Sequence, residues 1–200
     1  SRVKWIGAGM TRGRITVRGN VGTHLGSEMA GGQIIVDGNA GDWVGAEMRG
    51  GFIQVRGNAG HQTGAAYRGS RRGMRGGTIH VHGSAGNEIG STMRRGLIAI
   101  GGDSGDFAGV SMIAGTIFLF GSPGLRTGAG MKRGSIGLFG GTTSGDEPSL
   151  LPTFRFDCEY RPVFLRLFLS QLRQSGFPLE DQFWSASFQR YSGDLVALGR

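Results

Sequence analysis

The 200-residue sequence predicts an all-β fold: a right-handed parallel β-helix (solenoid) of about seven 19-residue coils, followed by a small mixed α/β C-terminal tail. Three observations predict it. Gly supplies 41 of the 200 residues, roughly three times its usual share of about 7%. Those Gly recur at fixed positions of a nineteen-residue period, and each period holds one short alternating stretch of strand-forming residues. With only 5 Pro, no strict Gly-X-Y period and 38% hydrophobic residues, the Gly excess describes neither collagen nor a disordered linker.

The repeats read in order from Gly19 as GNVGTHLGSEMAGGQIIVD, GNAGDWVGAEMRGGFIQVR, a longer third unit from Gly57 to His82, GSAGNEIGSTMRRGLIAIG, GDSGDFAGVSMIAGTIFLF and GSPGLRTGAGMKRGSIGLF. Residues 1–18 form a truncated unit in the same register. The third unit carries seven extra residues, most simply Tyr67 to Gly73. Position 8 is Gly in all seven units, as is position 14, and position 1 is Gly from Gly19 to Gly140. Position 11 holds Met10, Met29, Met48, Met74, Met93, Met112 and Met131, which are all the Met in the chain. Position 16 is always Ile, and position 18 is Val, Ile or Leu.

A helical-pair repeat needs a longer unit and a 3.6-residue rhythm, so one coil per unit is expected, with equivalent residues stacked about 4.8 Å apart. Met at position 11 and the aliphatics at positions 16 and 18 then face inward as ladders. The Gly columns mark corners, where the chain needs φ > 0 or backbone approaches backbone.

The pattern fades after Gly140, which places a boundary between a repeat domain, 1–145, and a C-terminal segment, 146–200. Within that segment PVFLRLFLSQLRQSG reads as a helix, with Pro162 in its first turn, Gly176 just past its end and Phe164, Leu165, Phe168 and Leu172 on one apolar face. FQRYSGDLVAL reads as a hairpin turning at Gly193-Asp194. The segment is expected to cover the last coil of the solenoid.

Net charge is +8 and unevenly placed. Residues 1–145 hold 16 Lys and Arg against 7 Asp and Glu, and the rest holds 6 against 7. The excess falls in the turn after the Met column (Arg12, Arg49, Arg75, Arg94, Arg95, Lys132, Arg133) and in the insertion (Arg68, Arg71, Arg72). Stacked coils turn these into a basic stripe, which suits a polyanionic cofactor, an acidic partner or, less well, nucleic acid. No nucleic-acid recognition motif and no interleaved surface aromatics accompany the charge. Phe118, Phe120 and Phe139, at positions 17 and 19 of the last coils, should project away from the core. They offer an apolar patch either to another protein or to the tail helix.

Familiar chemistry is missing from the pattern. GAGMTRG and GNAGHQTG lack the βαβ context of a dinucleotide loop, and there is no GxxxxGK[ST]. His80 and His82 share one face of a strand, but His24, His61 and Cys158 lie elsewhere, so no metal set is expected. Glu28 and Glu47 stack at position 10 and are expected to reach Arg neighbours. No nucleophile has a base nearby by spacing, and no active site is expected. The single Cys permits no intrachain disulfide and fits a reducing compartment. No stretch approaches the roughly 20 apolar residues of a membrane span. No signal-peptide pattern opens the residues given, which start inside a motif, so further N-terminal sequence is expected.

The repeated text, as in GNAGDWVGAEMRGGFIQVRGNAG, resembles the GXGXG-type β-helix of the glutamate synthase large chain and of the C subunit of formylmethanofuran dehydrogenase. A chain with its repeats first and a short mixed tail looks most like that C subunit, over about residues 7–140. The composition of 20 Arg against 2 Lys fits GC-rich bacterial codon usage and favours the bacterial branch, the formyltransferase/hydrolase complex. The resemblance implies a non-catalytic structural component of a cytoplasmic complex of one-carbon metabolism. That complex converts formyl-tetrahydromethanopterin to formate through methylofuran. It further implies the A, B and D subunits as partners, with methylofuran, tetrahydromethanopterin and zinc handled by them. Arg68, Arg71, Arg72, Arg75, Arg94 and Arg95 would then guide a poly-glutamate cofactor tail or meet an acidic partner face. A glutamate synthase-like spacer and a free polyanion-binding module are the alternative readings.

Overall fold

The computed structural model describes residues 3–140 and 150–193. It divides into two compact units, Ser1–Leu150 and Leu151–Arg200. The first is a parallel β-solenoid. Seven strands, β1 (Arg14–Val17), β2 (Gln33–Val36), β3 (Phe52–Val55), β4 (Arg75–Val81), β5 (Arg95–Ile100), β6 (Thr116–Leu119) and β7 (Ser135–Leu138), form one sheet in chain order. The register locks the repeat, since Ile15, Ile34, Ile53, Ile79, Ile98, Ile117 and Ile136 are successive Cα partners. A second line of parallel bridges runs through position 3, from Val21 by Ala40, Ala59 and Ala85 to Ser104.

The interior is the stack predicted from the columns. Met29, Met48, Met74, Met93 and Met112 are fully buried with Ile34, Ile53, Ile79, Ile98 and Ile117, while Met10, Ile15, Val17, Met131, Ile136 and Leu138 in the end coils are partly buried. Two Gly columns exist because of two inward ladders. A Cβ on Gly45 (φ +61°) would lie 2.5 Å from Ile79 Cδ1 of the next coil, and Gly64 and Gly109 meet Ile98 and Ile136 in the same way. At position 14 a Cβ on Gly77 (φ +89°) would lie 2.7 Å from Met48 Cε of the preceding coil. The Gly, Ile and Met columns are therefore one packing solution.

Two features depart from the expected coil. Positive φ is not confined to Gly. Position 6 is left-handed in every coil, with Trp5, His24, Trp43, Gln62, Glu88, Phe107 and Arg126, and position 10 is left-handed at Glu28, Glu47, Thr92 and Ser111. The coil needs these corners whatever residue occupies them, and the surrounding stack holds the strain. The second departure concerns position 17, on the strand face opposite the interior, which alternation predicts to be open to water. Its side chains Ile35, Gln54, His80, Ala99 and Phe118 are buried.

In the second unit, β8 (Arg155–Tyr160) pairs antiparallel with β9 (Phe188–Ser192), with α1 (Leu165–Gln174) and a 3-10 turn (Asp181–Trp184) between them. The expected helix is present, but its buried face is Leu165, Leu169 and Leu172, while Phe164 is half exposed. Residues 163–164 belong to the turn that precedes the helix, where the Leu165 N–H donates to Pro162 O. Arg173 lies 4.8 Å from the Trp184 ring and pairs with Asp181. The first half of the expected hairpin is β9, whose partner is β8; the second half lies outside the described residues.

Candidate anion-binding face

The seven extra residues enter where the repeat register placed them. On one side the Ala66 N–H donates to Ser91 O, the bond that Glu47 makes to Ala65 one coil earlier. On the other, the Met74 N–H donates to Gly64 O, as Met48 does to Gly45. Residues 67–73 thus leave an undisturbed coil between positions 10 and 11.

An aromatic wall anchors this loop. Left-handed position 6 stacks Trp5 on His24 with centroids 3.9 Å apart, and His24 on Trp43 at 5.9 Å. The Tyr67 ring tilts against Trp43 at 5.6 Å and His24 at 5.8 Å. Its backbone N–H donates to Glu47 Oε1 at 3.3 Å. Burial pushes the Tyr67 phenol up and, with the charge of Lys4, pushes His24 down, so both shifts favour the uncharged rings. At the far end of the loop the Gly73 N–H donates to Thr92, and Arg94 Nη2 donates to Arg71 O at 3.3 Å. Sequence reasoning missed this wall, although column 6 reads Trp, His, Trp from the first coil.

The arginines then fall into place. Arg75 and Arg95 are Cα partners on adjacent strands, and Arg94 reaches the loop at Arg71. Arg68, Arg71, Arg72, Arg94 and Arg95 are exposed, and Arg75 is half-buried, with its Nε buried and unbonded. None of the six is in an ion pair among the described residues. Arg49 of the stripe differs, since it pairs with Glu28 at 3.4 Å. Glu47 is taken by the Tyr67 N–H rather than by an arginine. These guanidinium groups, without an ion pair among the described residues, are carried on adjacent coils and an anchored loop; guanidinium groups in general bind carboxylates by paired N–H donors.

The other candidates separate. Phe118, Phe120 and Phe139 cluster, with Phe120 stacked on Phe139 at 4.3 Å; Phe118 and Phe139 are buried and Phe120 is half-buried. His80 packs edge-on against Phe52, while His82 Nε2 and Gln54 Nε2 lie 2.9 Å apart in a hydrogen bond. Burial, then the charge of His82, holds His80 down at about 4. Among the described residues no group of three His, Cys, Asp or Glu is placed to hold a metal, so the donor sets there do not fit zinc. No helix of the described residues is long and apolar enough to cross a membrane.

These features define a glycine-cornered parallel β-solenoid with a basic flank. Among solved structures, the chain is similar to one in the X-ray crystal structure of the formyltransferase/hydrolase complex (FhcABCD) from Methylorubrum extorquens in complex with methylofuran. The two are 38% identical, with a TM-score of 0.86 over 98% of this chain and 71% of that one. No protein-family model and no curated protein matches it. The chain belongs to the formyltransferase/hydrolase complex subunit family that this neighbour represents.

Proposed function

We propose that the chain is the C subunit of a formyltransferase/hydrolase complex, a rigid scaffold on which the catalytic A, B and D subunits assemble. The observation that carries this reading is the 38% identity to a chain of such a complex over 98% of the present sequence. A solenoid with no metal-holding cluster among its described residues suits that role. The conversion of formyl-tetrahydromethanopterin to formate, and its zinc chemistry, are assigned to the other subunits. The arginine set contributes by electrostatics. Arg68, Arg71, Arg72, Arg75, Arg94 and Arg95 hold or guide the carboxylate-rich tail of methylofuran, or receive an acidic partner face. Within the phenylalanine trio, Phe120 keeps surface for a partner.

The experiment is charge reversal in the assembled complex. With Arg71, Arg72 and Arg75 replaced by Glu, turnover of the methylofuran-bound formyl group at low salt is expected to fall at least about tenfold, and the deficit to shrink as salt screens the field. Unchanged assembly and kinetics overturn the assignment of the arginines. A tagged chain that purifies from its native cells as a lone monomer overturns the scaffold role.

A further inference from the structure

Large apolar side chains in water are concentrated in one short stretch of the second unit. Phe156, Tyr160, Val163, Phe164 and Leu167 are all exposed, and Val163 and Leu167 are 77% and 76% so. The last three lie at and just before the start of α1. Leu165, Leu169 and Leu172 take its buried side, and Leu167 lies on the other, where its N–H donates to Phe164 O one turn back. Val163 stands four residues before Leu167, in the turn that leads into the helix. Such a patch on the outside of a short amphipathic helix costs solvation without any return from the unit's own core.

Charge and hydrogen bonding say what would cover it. Arg161 and Arg166 flank the patch, both exposed and neither in an ion pair among the described residues. Of the acidic groups nearby, Asp157 pairs with Arg190, Asp181 with Arg173, and Glu180 accepts from Gln182, which leaves Glu159 alone against the two arginines, without an ion pair among the described residues. Arg161, Val163 and Arg166 also line a cleft whose other wall includes Phe183 and Trp184. Two cations and an apolar surface call for one kind of guest, an apolar side chain flanked by carboxylates. A second copy of the same face would bring like charges together.

We propose that the start of α1 and the cleft beside it dock an extended acidic segment of a partner polypeptide. Its apolar side chains cover Val163, Phe164 and Leu167, and its carboxylates pair with Arg161 and Arg166. The proposal deepens the scaffold reading, on which it rests, by assigning one contact to the second unit.

The test places a photo-crosslinking benzoylphenylalanine at Leu167 in the tagged chain, within the assembly purified from native cells. The crosslinked partner peptide is expected to carry at least two Asp or Glu beside an apolar residue, and amide exchange over residues 161–167 to slow at least tenfold between free chain and assembly. Arg161→Glu with Arg166→Glu should cut recovery of that partner at least tenfold with the circular dichroism unchanged, whereas reversal of an exposed arginine outside both faces, Arg18→Glu, leaves it unaltered. A neutral or basic crosslinked peptide, unprotected amides in the assembly, or a self-crosslinked dimer overturns the proposal. Crosslinking to residues 194–200 of the same chain does so too, since the chain's own end would then be the occupant. A wild-type chain that emerges without partners defeats the scaffold reading and this contact with it. A wild-type chain that assembles while 161–167 exchanges freely defeats only the contact.

Discussion

At Gly45 the missing Cβ is the space that Ile79 Cδ1 fills, and the local φ of +61° is one that L side chains resist. Gly45→Ala is therefore expected to cost about 2 to 4 kcal/mol, combining backbone strain with overpacking. Ile79→Val removes the clashing methyl, so the double variant should be more stable than the sum of the two single losses in denaturant titrations. Strict additivity would show that the columns do not pack as one. His80 gives a pH dependence with a definite sign. Its pKa is about 4 in the folded chain, against 6.5 without the fold. The unfolded chain thus binds the extra proton first, and stability is complete above pH 6.5 and falls as pH drops toward 4. The loss is on the order of 3 kcal/mol by linkage. Unfolding free energy measured from pH 7 to 4 should show this slope, and His80→Gln should reduce it, with His24 and His82, which burial also pushes down, accounting for part of what is left.

Among the elements, the insertion is the most separable. Because Ala66 and Met74 both make the bonds of an uninterrupted coil, deleting residues 67–73 should leave the solenoid folded, with its melting temperature changed by only a few degrees. The deletion should abolish tight binding of a poly-glutamate probe. Collapse of the fold would show that the loop supports the coils rather than rides on them. The insertion's position is legible in the sequence because the columns on either side of it are regular. The wall that anchors it is not, since side chains in column 6 carry no shared hydropathy and become a stack only once the coils align. Two polar ladders are hidden for the same reason. Asn20, Asn39 and Asn58 side chains accept the N–H of the residue one coil on, as do Asp42, Asn87 and Asp106 at position 5. They are visible as recurring Asn, Asp and Ser, but that recurrence reads equally as turn composition.

For the whole molecule, a nineteen-residue period with Met and Ile confined to single columns leaves few architectures open, and the parallel solenoid is the one observed. The outer face of its sheet departs from expectation, because alternation alone cannot tell a solvated face from a covered one: Gln54 and His80 are polar, yet buried. In sequence the basic stripe is a row of similar charges. In the structure it separates into Arg49, which has Glu28, and a set around the loop with no ion pair among the described residues, a distinction that depends on where Glu28 and Glu47 point. At this scale the chain is similar to a chain of a multi-subunit formyltransferase/hydrolase complex, and the scaffold role is the reading proposed for it.

Mass measurement of the native assembly tests the central claim most directly. A tagged copy of this chain, purified gently from the cells that make it, is expected to run as a hetero-oligomer that contains three further subunits and converts formyl-tetrahydromethanopterin to formate when methylofuran is present. A chain that instead emerges alone, at its own mass and without associated activity, would contradict the account.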